Sequence, residues 1–184
     1  MDKISSFNFI TLNGYLNGSD GDINWHRHGA EENQYAADSL QSGSTLIFGR
    51  KTYEMMAAYW PAPMAMENDP TVAEGMNNAN KIVISGTLKK ADWKNTKIIS
   101  NDVVNEIKRL KELPGNGFTL LGSGSILTLF SENGLIDEYQ IMIDPVAIGN
   151  GTPIFNEIRQ PLNLKLTGVK AFKSGVVLLS YKPL

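Results

Sequence analysis

Cysteine is absent from this chain of 184 residues, and histidine occurs only twice, as His26 and His28. The absence of cysteine excludes disulfide frameworks, thiolate metal sites and cysteine nucleophiles. Two histidines separated by one residue are too few for a histidine-built metal cage, so we predict that the protein binds no metal. We expect both histidines to be exposed loop residues rather than ligands.

Excess charge of one sign and long apolar runs are also lacking. The chain has 17 Lys and Arg residues against 19 Asp and Glu, and its formal charge of −2 creates no overall field that would attract nucleic acid or an anionic membrane. No apolar run approaches the roughly 18 residues of a membrane span, and residues 1–10 lack the apolar core of a signal peptide. We therefore expect a soluble cytoplasmic protein with neither nucleic-acid nor membrane partners.

The apolar pattern predicts one continuous domain over residues 1–184, because no segment has linker composition and no repeat recurs. Short β-rich runs precede helical patterns along the chain, which predicts an α/β fold around a mostly parallel sheet. The predicted strands are residues 3–10, 44–49, 81–86, 96–100 and the start of 118–130. The predicted helices are residues 30–40, 50–60, 103–113 and the end of 118–130.

The last third of the chain is β-rich. Residues 138–148 form one long β segment, and residues 162–172 and 175–183, joined by Lys173 and Ser174, predict a hairpin. Such a hairpin would close one edge of the sheet with antiparallel strands. Near the N-terminus, the glycines of residues 13–28 predict a long mobile loop, in which Trp25 would form a wall of a pocket for a planar ligand.

Two predicted strand ends carry residues suited to phosphate. Backbone N–H groups and the positive end of a helix dipole meet at such positions, and hydroxyl and cationic side chains add further donors. The first set is Gly49, Arg50, Lys51 and Thr52, and the second is Gly122, Ser123, Gly124 and Ser125. Ser123 or Ser125 is also expected to cap its helix. The alternatives are a plain helix start with two solvated cations and a plain Gly-Ser turn. Ser85 and Gly86 end a third strand and would line the same crevice.

Two acidic residues, Glu31 and Glu32, begin the first predicted helix. Their ordinary role is to complement the helix dipole. A carboxylate partly buried in the crevice would instead have a raised pKa and would relay a proton or hydrogen-bond an amino-heterocycle. Only one of the two is expected to face the crevice. Further along, Met55, Met56, Tyr59 and Trp60 fit either the core or a pocket wall.

In order along the chain, these segments resemble the dihydrofolate-reductase-like superfamily, and in particular the reductase domain of the bifunctional riboflavin-biosynthesis deaminase-reductase and its free-standing bacterial relatives. The matching segments are ISSFNFITLNGYLNG (4–18) with Trp25, TLIFGRKTYEMMAAYWP (45–61), KIVISG (81–86), FTLLGSGSILTLF (118–130), DEYQIMIDPVAIGNGTPIF (137–155) and the C-terminal hairpin. They span almost the whole chain. The chain has no cysteine with which to build the family's zinc deaminase, so we expect the reductase part acting alone.

The resemblance implies a three-layer α/β/α fold with a central, mostly parallel sheet of about eight strands and an NADPH site across the strand ends. By position, Arg50 and Thr52 look like the phosphate-binding pair, and Ser85 resembles the residue near the adenosine 2′-phosphate. Residues 122–125 look like the pyrophosphate turn. Asn13, Gly14 and Trp25 correspond to positions at the nicotinamide end and the substrate. The substrate carboxylate falls between Ala30 and Asn33, which leaves Glu31 and Glu32 as candidates.

The function implied is an NADPH-dependent reductase acting on a small heterocycle or imine of the pteridine or 5-amino-6-(5-phosphoribosylamino)uracil type. Trp25, Tyr53 and Trp60 are the substrate-binding candidates. Lys51 and Gly86 are taken with their neighbours as cofactor-binding candidates, and Arg50 or Lys51 would favour NADPH over NADH. The alternatives are dihydrofolate reductase proper and a non-catalytic nucleotide-binding protein. Because relatives of the riboflavin type are often homodimers, and apolar β segments near the C-terminus suit such an interface, we expect a homodimer.

Overall fold

The computed structural model describes residues 1–27 and 29–184. In this part of the chain, helices cover both faces of an eight-stranded sheet, which is a three-layer α/β/α arrangement. The strands are β1 (Ile4–Thr11), β2 (Tyr15–Gly18), β3 (Thr45–Gly49), β4 (Lys81–Ile84), β5 (Thr96–Ile99), β6 (Phe118–Leu121), β7 (Glu138–Asp144), β8 (Gly151–Pro153), β9 (Leu164–Ala171) and β10 (Val177–Pro183). The helices are α1 (Ala30–Leu40), α2 (Arg50–Tyr59), α3 (Pro63–Asn68), α4 (Pro70–Asn78), α5 (Val103–Lys111) and α6 (Gly124–Glu132).

The large sheet has the strand order β5-β4-β3-β6-β1-β7-β10-β9. The six strands from β5 to β7 run parallel to one another, and β10 pairs antiparallel with both β7 and β9. The expected mostly parallel sheet with an antiparallel C-terminal hairpin is therefore confirmed. The short apolar runs of the sequence become the central strands because a parallel sheet buries both faces.

Each face of the sheet has its own apolar core. Ile47 and Leu120 pack against Ile107 of α5 and Phe130 of α6 on one face. On the other face, Phe48 packs with Tyr53 of α2 and with residues of α1 and α4. Alternate residues of β3 thus point into different cores, as the two-residue repeat of a strand requires.

Three local features differ from the sequence-based expectations. The stretch expected to be a mobile loop contains β2, which pairs with β8 in a separate two-stranded ribbon. Residues 85–95 connect β4 to β5 without a helix, although the β-rich runs of the sequence are expected to precede helical patterns. Residues 63–78 form two helices for which the apolar pattern gave no prediction, and each begins with a proline, Pro63 or Pro70, at its first turn, where the missing N–H costs nothing.

The parallel strands place their carboxyl ends along one edge of the sheet. Thr11, Gly49, Ile84, Leu121 and Asp144 are the last residues of β1, β3, β4, β6 and β7. Ligands of open α/β sheets bind at this edge. Along the described part of the chain, no helix is both long enough and apolar enough to cross a membrane.

Candidate functional site

Two strand-end turns meet at the carboxyl edge of the sheet. One is the β3–α2 turn at Gly49, and the other is the β6–α6 turn from Gly122 to Ser125. The Ser123 side chain lies against the α-carbon of Gly49, where any side chain at position 49 would overlap it. A side chain at Gly122 would lie 3.1 Å from Thr52 Cγ2. The two turns with phosphate-binding composition are therefore in direct contact.

Both helices that leave these turns begin without a side-chain cap. Gly49 precedes α2 and has no side chain, and Ser123 precedes α6 but makes no capping hydrogen bond, contrary to the expected cap. Neither helix has an acidic residue in its first turn. The first backbone N–H groups of α2 and α6 have no intrahelical partner, and neither helix places a carboxylate of its own first turn at the positive end of its dipole.

The backbone of the β6–α6 turn is left-handed at two successive residues. The φ angle is +59° at Gly122 and +58° at Ser123. A residue with a side chain is disfavoured in this conformation by about 1–2 kcal/mol, and such strain is concentrated at ligand-binding turns. The turn thus has the form expected of a site where a ligand approaches the backbone closely.

The cations of the α2 turn reach solvent. Arg50 and Lys51 are exposed, and Arg50 Nη1 lies 3.7 Å from Glu54 Oε1 in a pair whose two side chains are about half exposed. Such surface pairs are weak. Arg50 thus remains available to a ligand at the edge of the crevice. Ser125, in the first turn of α6, is also exposed.

Ser85 and Gly86 follow β4, the neighbour of β3. Ser85 is buried, and its hydroxyl oxygen accepts the N–H groups of Thr87 at 3.2 Å and Leu88 at 2.9 Å. Gly86 is exposed, with no atom within 4 Å of the position that a side chain would take. The Ser85 oxygen is thus used by hydrogen bonds within the turn, whereas the space beside Gly86 is open.

Asn13 and Gly14 join β1 to the small ribbon. The Asn13 amide donates to Ile148 O at 2.8 Å and accepts the Ile148 N–H at 3.2 Å, so it fixes the segment that follows β7. Gly14 has a φ of +88°, and its carbonyl accepts the N–H of Ile154 at 2.9 Å. These residues hold the ribbon over the strand ends, where Leu16 of β2 lies next to Gly124 of the β6–α6 turn.

A buried pair of side chains lies beside Trp25. His26 Nδ1 is 2.9 Å from Asp144 Oδ2, and the two side chains are only 2% and 1% exposed. His26 is therefore not the exposed loop residue expected from the sequence, because it pairs with a carboxylate 118 residues further along the chain. His28, the other histidine, lies outside the described residues. Trp25 itself is half-buried, and its Nε1 has no hydrogen-bond partner among the described residues.

Aromatic rings line the α1 side of the central strand β1. Phe7 lies 6.0 Å from Tyr35 of α1 and 5.1 Å from Phe9, and Phe9 lies 3.8 Å from the His26 ring. Phe7 and Phe9 are only partly buried, whereas Ile4, Ser6 and Asn8 of the same strand are fully buried. The aromatic side chains of β1 thus keep part of their surface accessible to solvent.

Both acidic candidates of α1 contact the turn of the C-terminal hairpin. Glu31 accepts the backbone N–H of Lys173 at 3.1 Å and pairs with its Nζ at 3.2 Å, and these bonds lower the pKa of Glu31. Glu32 is buried and accepts a short hydrogen bond from the Ser174 hydroxyl. The hairpin turn lies at the crevice edge, because β10 begins opposite Ile143 near the end of β7.

The remaining two substrate candidates lie elsewhere. Tyr53 is buried on the sheet side of α2, where it packs with Phe48 and its hydroxyl accepts the Trp93 N–H at 3.1 Å. Trp60 lies at the far end of α2, about 15 Å along the helix from Arg50, and donates its indole N–H to Met56 Sδ. The structure therefore does not bring Tyr53 or Trp60 together with the two turns.

Solved structures share this fold at low sequence identity. A protein assigned to riboflavin biosynthesis from Shewanella sp. PV-4 has a TM-score of 0.76 at 19% identity over 100% of this chain and 99% of its own. The diaminohydroxyphosphoribosylaminopyrimidine deaminase/5-amino-6-(5-phosphoribosylamino)uracil reductase of Thermotoga maritima has 0.71 at 14%, over 100% of this chain and 57% of its own. A pyrimidine reductase-like protein of Corynebacterium diphtheriae has 0.68 at 12%, over 100% and 92%. These likenesses confirm the expected fold.

Sequence comparison gives nearer relatives. The uncharacterized protein YyaP of Bacillus subtilis strain 168 is 31% identical over 173 residues, which are 94% of this chain and 90% of that protein. The uncharacterized protein YwjB of the same organism is 28% identical over 171 residues, 92% of this chain and 91% of its own. A family model described as the RibD C-terminal domain matches residues 2–178. The chain therefore belongs to the RibD C-terminal domain family, as the resemblance seen in its sequence implied.

Proposed function

We propose that the protein is an NADPH-dependent reductase acting on a small heterocyclic or imine substrate. The observation that carries this proposal is the contact between Gly49 and Ser123, which brings the uncapped N-termini of α2 and α6 together at the carboxyl edge of the sheet. Two neighbouring sets of free N–H groups suit the several phosphate groups of NADPH. Membership of the RibD C-terminal domain family supports the same assignment.

Different turns of the chain bind different phosphate groups of the cofactor in this proposal. The turn from Gly122 to Ser125 binds the pyrophosphate through backbone N–H groups, and the start of α2 binds the phosphate on the ribose. Arg50 and Lys51 are the only cations in this turn sequence, so they discriminate NADPH from NADH. Because the protein as a whole carries a charge of −2, this local arrangement and not a general field attracts the anion.

The substrate lies on the α1 side of β1 in this proposal. Phe7, Phe9 and Trp25 offer partly exposed aromatic surfaces, which suit the flat ring of a pteridine or aminopyrimidine. The reductase from Thermotoga maritima, whose name gives 5-amino-6-(5-phosphoribosylamino)uracil as substrate, has the same fold and supports this substrate class.

Glu32 is the carboxylate that would meet the substrate, and Glu31 is not. Glu31 is held by Lys173, which lowers its pKa and so makes it a poor proton donor. Glu32 is buried beside the crevice, where its carboxylate can accept a hydrogen bond from an amino-heterocycle in addition to the one from Ser174.

When bound, NADPH supplies the hydride, and the protein's task is placement. Holding the reacting atoms about 3–3.5 Å apart lowers the activation barrier by several kcal/mol, because their ordering is completed before the reaction. Here the two helix N-termini would fix the phosphate end and the Trp25 segment would close the nicotinamide end, so that water is excluded between them.

The test is to follow NADPH oxidation with a panel of pteridines and ribosylated aminopyrimidines. We expect turnover with at least one member, and we expect Glu32→Gln to lower it while Glu31→Gln does not. Tight NADPH binding without oxidation of any panel member would instead identify a nucleotide-binding protein without reductase activity. Turnover of dihydrofolate with inhibition by antifolates would identify a dihydrofolate reductase.

We also propose that the protein forms homodimers in the cytoplasm. Leu166 and Val169 on the edge strand β9 are 49% and 61% exposed, and an apolar edge strand suits an interface between two copies. Sedimentation analysis is expected to give a dimer that Val169→Lys weakens. A monomer at all concentrations would contradict this.

A further inference from the structure

Asp144 connects the end of the central sheet to the segment that carries Trp25. It is the last residue of β7 and lies beside Thr11, the last residue of β1. Both carboxylate oxygens are used: Oδ2 lies 2.9 Å from His26 Nδ1, and Oδ1 accepts the Arg27 N–H at 3.1 Å. The sheet therefore holds the two residues that follow Trp25.

The His26 ring is fixed on a second side as well. It packs on Phe9 of β1, with ring centroids 3.8 Å apart, and it meets the Trp25 indole edge-on at 6.0 Å. The imidazole is thus placed between a rigid strand and the indole. The contacts with the Asp144 carboxylate and with Phe9 fix the orientation of the His26 ring. The Trp25 indole packs on this ring, so its orientation is fixed as well.

We propose that His26 and Asp144 are positioning residues that set the Trp25 indole as a wall of the crevice. Residues 23–27 would otherwise be a glycine-flanked surface segment with few contacts to the sheet. A buried carboxylate is costly unless it is hydrogen-bonded. The Asp144 carboxylate therefore favours the arrangement in which residues 23–27 are in place and supply its partners. The identity of the ligand that meets Trp25 rests on the proposed function, but the positioning of Trp25 does not.

Fluorine NMR of protein labelled with 5-fluorotryptophan tests this directly. The chain has three tryptophans, Trp25, Trp60 and Trp93, and the variant Trp25→Phe assigns the first resonance. His26→Leu removes the side-chain partner of Asp144, whereas His26→Asn keeps a polar side chain at a similar place. Asp144→Asn removes the charge, and Asp92→Asn is the matched control, because Asp92 is an exposed residue that pairs with Lys90 far from β7.

We expect His26→Leu and Asp144→Asn to shift or broaden the Trp25 resonance while Trp60 and Trp93 keep their positions. His26→Asn should restore the Trp25 resonance at least in part, and Asp92→Asn should leave the Trp25 resonance unchanged. The affinity for NADPH should fall about tenfold in His26→Leu, because a displaced Trp25 indole no longer fits against the bound cofactor.

Two results would overturn the positioning role. One is an unchanged Trp25 resonance in both His26→Leu and Asp144→Asn. The other is the loss of the Trp60 and Trp93 signals together with that of Trp25 in every variant, which would show that the pair supports the fold as a whole. A Trp25 resonance that responds to His26→Leu but never to NADPH supports the positioning role and contradicts the proposed cofactor instead.

Discussion

Ser123 packs its hydroxyl against the bare α-carbon of Gly49, and this contact joins the β3–α2 turn to the β6–α6 turn. The two residues are the N-caps of α2 and α6, so the distance between them sets how closely two helix N-termini approach. A glycine is required at position 49 for space and not for backbone conformation, since its φ of −80° is open to any residue. The proposed phosphate site depends on this pairing.

Gly49→Ala should therefore push the two turns apart. The added methyl group overlaps the Ser123 side chain, and overpacking of this kind costs about 1–3 kcal/mol of the free energy of unfolding. We expect a lower melting temperature by calorimetry and weaker NADPH binding by titration. Gly149→Ala is the control, because no atom lies within 4 Å of the position of its new methyl group.

The double variant Gly49→Ala/Ser123→Gly should recover most of the lost stability. Ser123→Gly removes the overlapping hydroxyl and relieves a left-handed residue at φ +58°. If the changes in the free energy of unfolding caused by Gly49→Ala and Ser123→Gly are strictly additive in the double variant, the contact between the two residues is not the cause of the lost stability.

Ser123→Asp should weaken NADPH binding at least tenfold relative to Ser123→Asn. Asp and Asn have the same shape and both tolerate the left-handed conformation, so the pair differs only in charge. A carboxylate at the N-cap of α6 would neutralise the dipole and repel a phosphate. Isothermal titration provides the measurement, and equal affinities of the two variants would place the phosphates elsewhere.

Glu32→Leu should destabilise the protein by about 1 kcal/mol, because it removes the hydrogen bond that the buried Glu32 carboxylate accepts from the Ser174 hydroxyl. Glu32→Gln keeps an oxygen acceptor and should cost less. Glu31→Gln is the matched control on the same turn of α1, and we expect only a small change, since its partner Lys173 is 91% exposed. Denaturant unfolding compares the three variants. Equal losses for Glu32→Leu and Glu31→Gln would contradict the structural role of Glu32.

Lys81 should make stability depend on pH in the alkaline range. It is fully buried in β4, its ammonium donates to the carbonyls of Asn77, Ala79 and Lys94, and it lies 4.4 Å from the Trp93 ring. Burial lowers its pKa from 10.5 to about 8. Between these values the unfolded chain binds more protons than the folded one, so the free energy of unfolding rises with pH.

The rise is at most about 1.4 kcal/mol per pH unit for one proton. Lys81→Met removes this contribution and leaves the other titrating groups in place. The free energy of unfolding of wild type should therefore rise relative to that of Lys81→Met as the pH rises from 8 toward 10.5. A difference that is constant across this range would show that Lys81 keeps its ordinary pKa.

The fold was predictable because its signals are local. Apolar runs such as TLIFG and KIVI are strands wherever helices can cover both of their faces, and the glycines at 49 and 122 mark the turns that follow. The parallel order of these strands also implied that the two turns share one edge. That their helices are both uncapped was not predictable, because Ser123 is a common capping residue that here turns toward Gly49 instead.

The features missed from the sequence depend on partners far along the chain. The sequence predicts a loop at β2 because its partner β8 begins as far away as Gly151, and a glycine-rich segment has no pattern of its own. The sequence predicts an exposed His26 because no residue near it in the chain indicates its contact with Asp144. An aspartate that ends a buried strand, followed by a proline, was the one available sign of a carboxylate at the crevice edge.

Equilibrium titration of the wild-type protein with NADPH and with NADH, followed by intrinsic tryptophan fluorescence, tests the assignment of the strand-end turns most directly. Because Arg50 and Lys51 flank the start of α2, NADPH should bind at least tenfold more tightly than NADH, and Arg50→Gln should narrow this preference. Equal and millimolar affinity for the two dinucleotides would contradict a cofactor site at Gly49 and Ser123.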